Sequence, residues 1–297
     1  MAEKAERAAE EKLYKIEELG LPLFTSRSSE VFCWEDNSRE GEILLKLFRP
    51  GVDQKMIDQE EINTKETCAK GVSAVACYGQ VRVAEPGGTV RSGILLRKIP
   101  GQTLIARVMK HPGTLFAAPK IMAEQQLALH HTHTKVIRSY KEMVRDCLKA
   151  PVMEFLTESE REEILRRIDR LPDGDSILHL DYHPDNIMSD GQNISVIDYM
   201  TAASGAPAAD VAATLYLLNE GEMIPGLSPA VASVMEFLRK SICKKYLKRY
   251  QAASGMTNEE IAPWRLPFLI VRLGVWCIES EITDLQRKIR EELARPA

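Results

Sequence analysis

The chain has no run of about 18 consecutive apolar residues, the length a membrane-spanning helix needs. Its first residues, Met-Ala-Glu-Lys-Ala-Glu-Arg, hold no apolar stretch of the signal-peptide kind. No membrane partner is expected, and the expected location is the cytoplasm. There is no C-x-x-C pair: Cys33, Cys68, Cys77, Cys147, Cys243 and Cys277 stand singly, which argues against a zinc or redox motif and leaves buried, reduced thiols as the expectation. A basic surplus is also missing. The net charge is −4, and residues 151–297 carry 23 acidic against 16 basic side chains, so a nucleic-acid partner is not expected. No internal repeat or low-complexity tract occurs. Histidines cluster at His130, His131 and His133, but on an apolar helical pattern with no matching Cys or His set, so metal binding there is the lesser reading.

What is present is enough apolar material for real cores: 297 residues at 44% hydrophobic fit one large domain or two lobes. Residues 1–13 are charged and alanine-rich, as a helix or frayed tail would be. Short β-type runs follow at 31–34, 42–48, 79–83 and 93–96, separated by turn residues and interrupted by one helix over 54–70. After Ile99-Pro100-Gly101 the periodicity turns helical, at 103–109, 119–134, 139–148 and 158–171, then at 208–218, 228–252 and 263–290. Thr157-Glu158-Ser159-Glu160 has capping-box spacing.

The densest chemistry lies in His179-Leu180-Asp181-Tyr182-His183-Pro184-Asp185-Asn186, followed after a turn by Val196-Ile197-Asp198. Asp181 offers a carboxylate to a reacting hydroxyl. Asn186 and Asp198 offer oxygens of the kind that magnesium takes. Lys46 lies inside an apolar β-like run, where an ammonium is costly to desolvate unless it meets phosphate or carboxylate; a solvent-facing edge lysine is the plainer alternative.

These motifs resemble the aminoglycoside phosphotransferase and choline kinase superfamily, which has an H-G-D-x-x-x-x-N loop and an I-D-W or I-D-F metal motif. Residues 203–212, Ala-Ser-Gly-Ala-Pro-Ala-Ala-Asp-Val-Ala, are similar to its G-x-P-x-x-D-x-A helix start, and residues 28–32 and 45–49 to its first strands. The resemblance implies an α+β, two-lobed protein-kinase-like fold: a small N-terminal antiparallel sheet with one helix (residues 1–98) and a larger, mostly helical C-terminal lobe (99–297). It implies ATP and Mg2+ as cofactors and a small-molecule hydroxyl as acceptor.

Carried over residue by residue, Asp181 is the catalytic aspartate, and Asn186 and Asp198 are the metal ligands. Lys46 is the phosphate lysine and Glu60 its helix partner, with Glu61 the competing choice. Ser28 and Ser29 belong to the phosphate-covering loop, and Leu96, Lys98 and Ile99 to the adenine-binding connector. His179 and His183 shape the loop. Asp210 either holds the loop backbone or is simply an acidic residue in a first helical turn.

Two departures stand out: the 25–29 loop has no glycine, and Leu180 replaces the family glycine, a steric cost if that position needs positive φ. The acceptor wall is expected to include Tyr182, Tyr199 and parts of 220–225 and 264–281, with Trp264, Trp276 and Glu279 as candidates, although apolar residues at this spacing are more often core; the acidic Glu279, Glu281 and Asp284 stand near the end of the sequence with no sign of where they point. The favoured reading is a small-molecule kinase. A nucleotide-binding pseudokinase is the alternative. A protein kinase ranks last, because no D-F-G or A-P-E-like sequence follows Asp198.

Overall fold

The computed structural model describes residues 13–35, 42–221 and 229–295. Its first part is a six-stranded sheet built from β1 (Leu13–Lys15), β2 (Phe24–Thr25), β3 (Ser29–Trp34), β4 (Ile43–Phe48), β5 (Cys77–Ala84) and β6 (Val90–Arg97), in the order β1-β5-β6-β4-β3-β2. Every pairing is antiparallel except that of β1, which lies parallel to β5 with Leu13 opposite Arg82. The purely antiparallel sheet expected from the sequence is therefore corrected at one edge: a three-residue strand that pairs across nearly 70 positions leaves no local turn signal. On one face Leu45, Leu47, Phe32 and Val83 form a core. On the other, Phe48, Ile57 and Ile94 pack beneath helix α1 (Gln54–Ala69).

Helix α1 is capped by Asp53, whose carboxylate accepts from the Lys55 N–H at 2.9 Å. Its buried positions are Ile57, Glu60, Asn63, Thr64 and Thr67, a stripe at helical spacing that is mostly polar. An inner face of that kind has to find partners, and the partners lie in the second part of the chain.

That part contains β7 (Gln102–Thr103), α2 (Leu104–Lys110), α3 (Ala118–His130), α4 (Tyr140–Cys147), α5 (Glu158–Arg170), β8 (Ser176–Leu178), β9 (Ile187–Ser189), β10 (Ile194–Val196), β11 (Ala203–Gly205), α6 (Pro207–Glu220), α7 (Pro229–Ser254), α8 (Asn258–Ile261), α9 (Arg265–Val271) and α10 (Ile282–Ala294). One large apolar core joins these helices. Thr157 and Glu160 form the expected capping box on α5. Two small ribbons, β7-β9-β10 and β8-β11, frame the two loops that carry the motifs. The 179–186 loop leaves β8 and enters β9, and Asp198 lies between β10 and β11.

The helical pattern expected over 263–290 is interrupted. A π-helical turn spans Arg272–Trp276, Cys277 adopts φ 44°, and α10 starts only at Ile282. Gly274 explains why this segment lies so close to α4: a Cβ there would fall 2.7 Å from the Cys147 Cβ. Cys147 and Cys243 are buried as expected, but Cys33 and Cys277 are exposed, and none of the six is in a disulfide. Most of the expected tail at 1–13 lies outside the described residues. No helix among the described residues is long and apolar enough to cross a membrane.

Candidate functional site

The two parts of the chain meet at Lys46. From the middle of β4 its ammonium donates to Glu60 Oε1 at 2.7 Å and to Asp198 Oδ1 at 2.9 Å. Burial works against the lysine charge, but the two carboxylates outweigh it and hold the ammonium firmly protonated. Glu61, one position on, points elsewhere and pairs with Lys65 and Gln80. The helical phase thus assigns the partnership to Glu60. Three residues further, Asn63 donates to the carbonyls of Tyr199 (2.8 Å) and Ala202 (3.1 Å), so α1 grips the segment that follows Asp198. Ser73 adds a bond to the Val196 carbonyl at 3.1 Å. Neither contact is visible in the sequence, although a polar residue at a core position of a helix is the signal that would have found Asn63.

Asp181 lines the same cavity as Asp198. Burial opposes its charge, but His183, His179 and Arg272 draw its carboxyl down to about 2. Asn186 donates through Nδ2 to the Asp181 carbonyl at 2.8 Å, which leaves its amide oxygen as the acceptor end. His179 is fully buried: Nε2 donates to the Ile197 carbonyl at 2.9 Å, and Nδ1 accepts from the Asp181 N–H at 3.3 Å. It ties the Asp181 loop to the strand that delivers Asp198. His183 caps the short turn at Pro184–Asn186 by accepting from the Asp185 N–H at 3.3 Å, and its Nε2 lies 3.7 Å from Asp181 Oδ2.

Leu180 does take positive φ, at 63°, and so does Asp198, at 65°. A left-handed leucine costs about 1–2 kcal/mol, and two features oppose that strain. The leucine side chain is fully buried in the main core, and its N–H donates to Asp210 Oδ1 at 2.6 Å. Asp210 is itself fully buried and accepts at Oδ2 from Gln126 (2.9 Å) and from His130 Nε2 (3.0 Å). The His130 ring in turn meets the Tyr250 hydroxyl at 2.5 Å, and Gln126 accepts from Tyr246. Of the two readings of Asp210, the geometry matches a support for the loop backbone. His130 belongs to that support; His131 is exposed and His133 pairs with Asp175 at the surface. Among the described residues no group of three His, Cys, Asp or Glu side chains forms a metal cage.

The glycine-free 25–29 loop keeps negative φ throughout, so its conformation makes no demand for glycine. Ser26 closes it, accepting from the Ser29 N–H at 3.1 Å and donating to the Ser29 carbonyl at 3.0 Å. Ser28 and Arg27 line the cavity, whereas Ser29 is buried within β3. In the connector, the Lys98 N–H is committed to the Glu42 carbonyl at 2.9 Å and its side chain to Glu42 as well. Ile99 N–H has no hydrogen bond among the described residues. Leu96 packs beside Met200 against Phe48 and Ile94.

The cavity holds about 740 Å³ and is lined by Asp181, Asp198, Ser28 and, on the helical side, by residues of α2, α6 and α7 together with Arg272, Val275 and Trp276. The expected acceptor wall is only partly there. Trp276 lines it, but Tyr182 and Trp264 are core residues, and Tyr199 is buried beneath the Asp198 loop. Glu281 is tied to Arg272 by two bonds of 2.8 Å, while Glu279 and Asp284 are exposed outside the cavity. Residues 222–225 lie outside the described residues. Arg239 and Arg272 were missed altogether.

A lysine–glutamate pair under a sheet, an Asp–Asn loop and a strand-end aspartate, gathered at one interlobe cavity, define a two-lobed phosphotransferase of protein-kinase-like fold. Residues 24–232 match the phosphotransferase enzyme family (APH), and the chain belongs to that family. Among solved structures, a thermostable variant of the aminoglycoside phosphotransferase APH(4)-Ia, in ternary complex with ADP and hygromycin B, superposes with TM-score 0.61 at 14% identity, over 95% of this chain and 98% of that one. Plasmodium vivax ethanolamine kinase gives 0.55 at 15% identity, over 95% and 83%. Amicoumacin kinase hAmiN, in complex with AMP-PNP and Ca2+, gives 0.55 at 14%, over 94% and 89%. No curated protein matches the chain in sequence.

Proposed function

We propose that this protein transfers the γ-phosphate of ATP to a hydroxyl of a small molecule, with Asp181 orienting the acceptor. The observation that carries this reading is that Asp181 and Asp198 line one cavity, Asp198 bound at 2.9 Å to Lys46, which Glu60 holds at 2.7 Å, and Asp181 bound through its carbonyl to Asn186.

The donor set suits a hard divalent cation. Asp198 leaves 40% of its side chain exposed with one oxygen on Lys46, and Asn186 turns its nitrogen inward, so that one carboxylate and one amide oxygen remain. Magnesium held there would neutralise charge on the phosphate oxygens. Lys46 supplies a further positive charge, kept in place by Glu60. Asp181, with its carboxyl drawn down to about 2, is a weak base. It accepts a hydrogen bond from the acceptor hydroxyl and aligns it; the proton moves to the carboxylate as the new O–P bond forms and the bond to the departing ADP oxygen breaks. Arg27 and Ser28 cover the phosphate end. The pseudokinase alternative is disfavoured because Lys46, Asp181, Asn186 and Asp198 are all present and in contact pairs.

The test is magnesium-dependent ADP formation against pooled aminoglycosides, amino alcohols, sugars, hydroxy amino acids and apolar alcohols. Asp181→Asn is expected to lower turnover by about 10²- to 10⁴-fold. Nucleotide binding with turnover no higher than that of the variant in every pool would favour the pseudokinase.

A further inference from the structure

The helical wall of the cavity has a chemistry unlike the one the motifs suggest. Val108, Met109, Leu217, Leu238, Ile242 and Trp276 form its apolar surface. The carboxylates among the described lining residues are Asp53, Asp181, Asp185 and Asp198. Asp53 caps α1, and the other three belong to the Asp181 and Asp198 loops, so none stands on the helical wall. The charges that wall does present are positive. Arg239 donates to the carbonyls of Leu218 (3.1 Å) and Gly221 (2.9 Å) and has no carboxylate in ion-pair reach among the described residues. Arg272 is neutralised by Glu281 but lies with its guanidinium 5.0 Å over the Trp276 ring.

Two consequences follow for an acceptor. A polycation would find arginines where it needs counter-charges. A quaternary ammonium is held best against an aromatic face, and the indole on that wall, Trp276, already has a guanidinium on it. An apolar molecule, by contrast, would remove the apolar side chains of that wall from water.

We propose that the acceptor is a bulky, predominantly apolar alcohol without cationic groups, its hydroxyl at Asp181 and its body against α2, α6 and α7. This rests on the phosphotransferase reading of the same site.

The experiment offers the full-length chain dodecanol, farnesol and a neutral macrolactone polyol on one side, and hygromycin B, choline and ethanolamine on the other. Phosphorylation with magnesium and ATP is measured against Asp181→Asn, and binding is measured by calorimetry with a non-hydrolysable ATP analogue present. The expected result is Asp181-dependent phosphorylation of an apolar alcohol. Leu238→Asp and Met109→Asp should each lower kcat/KM for it about 10-fold or more, and Leu238→Met should restore it. Met109 is 60% exposed, so loss in that variant does not reflect misfolding. Binding of an apolar alcohol, weakened in both Asp variants but without transfer to it or to any cationic probe, would overturn the phosphotransferase reading and with it the acceptor role, and would leave the wall as a binding surface for such a molecule. Transfer to a cationic probe while every apolar alcohol is neither bound nor phosphorylated would overturn the inference and leave the phosphotransferase reading standing. If no apolar alcohol binds and nothing is phosphorylated, both fall.

Discussion

Replacing Asp210 by asparagine keeps the shape of the side chain and removes its charge and one of its two acceptor oxygens. In the native protein Oδ1 receives the Leu180 N–H at 2.6 Å, and Oδ2 receives Gln126 and His130 at 2.9 and 3.0 Å. Asparagine can serve one side only, so at least one buried donor faces an NH2 group. An unsatisfied buried donor costs about 1–3 kcal/mol, and each remaining bond weakens by about 1 kcal/mol when its acceptor is no longer charged. The total is about 2–5 kcal/mol. If the Leu180 bond is the one lost, only the burial of its side chain still opposes the left-handed φ of that residue, and the loop shifts at the position next to Asp181. A displacement of about 1 Å in such a place lowers turnover about 100-fold. Two measurements check this without knowledge of the acceptor: urea unfolding at constant m-value, and hydrogen exchange at the Leu180 amide, which should accelerate in the variant. Stability within about 1 kcal/mol of wild type together with unchanged exchange at Leu180 would refute the reasoning.

Acid should expose the same residue. The Asp210 carboxyl is lowered from 3.8, with burial opposing and His130 and Gln126 overcoming it. Its stabilising share is present in full above pH 3.8 and is lost as pH falls below that through the depressed native value. Asp210→Asn should flatten that part of the acid-unfolding curve, and an unchanged curve would count against the network. Lys46→Met leaves Glu60, which is 1% exposed, without its cation, and should destabilise the chain by about 3–5 kcal/mol in urea unfolding. Adding Glu60→Gln should recover part of that loss. Gly101, at φ 101°, has no room for a Cβ, which would lie 2.3 Å from the Ser189 carbonyl oxygen. Gly101→Ala should therefore lower the melting temperature, and an unchanged value would show that the connector can shift away from β9.

The motif residues were legible because they are close in sequence or embedded in patterns with physical meaning. A lysine inside an apolar strand has to meet charge, and Lys46 does. Leucine at a glycine position implies strain, and Leu180 takes positive φ. What escaped was set by distance along the chain. The parallel β1 edge, the grip of Asn63 on the Asp198 loop and the Gln126–His130–Tyr250 support of Asp210 all join segments far apart in sequence. Tyr182 and Trp264 were expected in the acceptor wall because aromatic residues at such spacing fit both a wall and a core. The break at Arg272–Cys277, which brings Arg272 and Trp276 to the cavity, hides within an otherwise helical apolar pattern.

The most direct measurement is the fate of the γ-phosphate. With γ-labelled ATP and magnesium, wild-type protein should move label onto an organic hydroxyl, while Asp181→Asn and Asp198→Asn retain folded stability and transfer at least about 100-fold less. Label transferred equally by all three proteins, or by none of them despite bound nucleotide, would contradict the assignment of Asp181 and Asp198 to phosphoryl transfer.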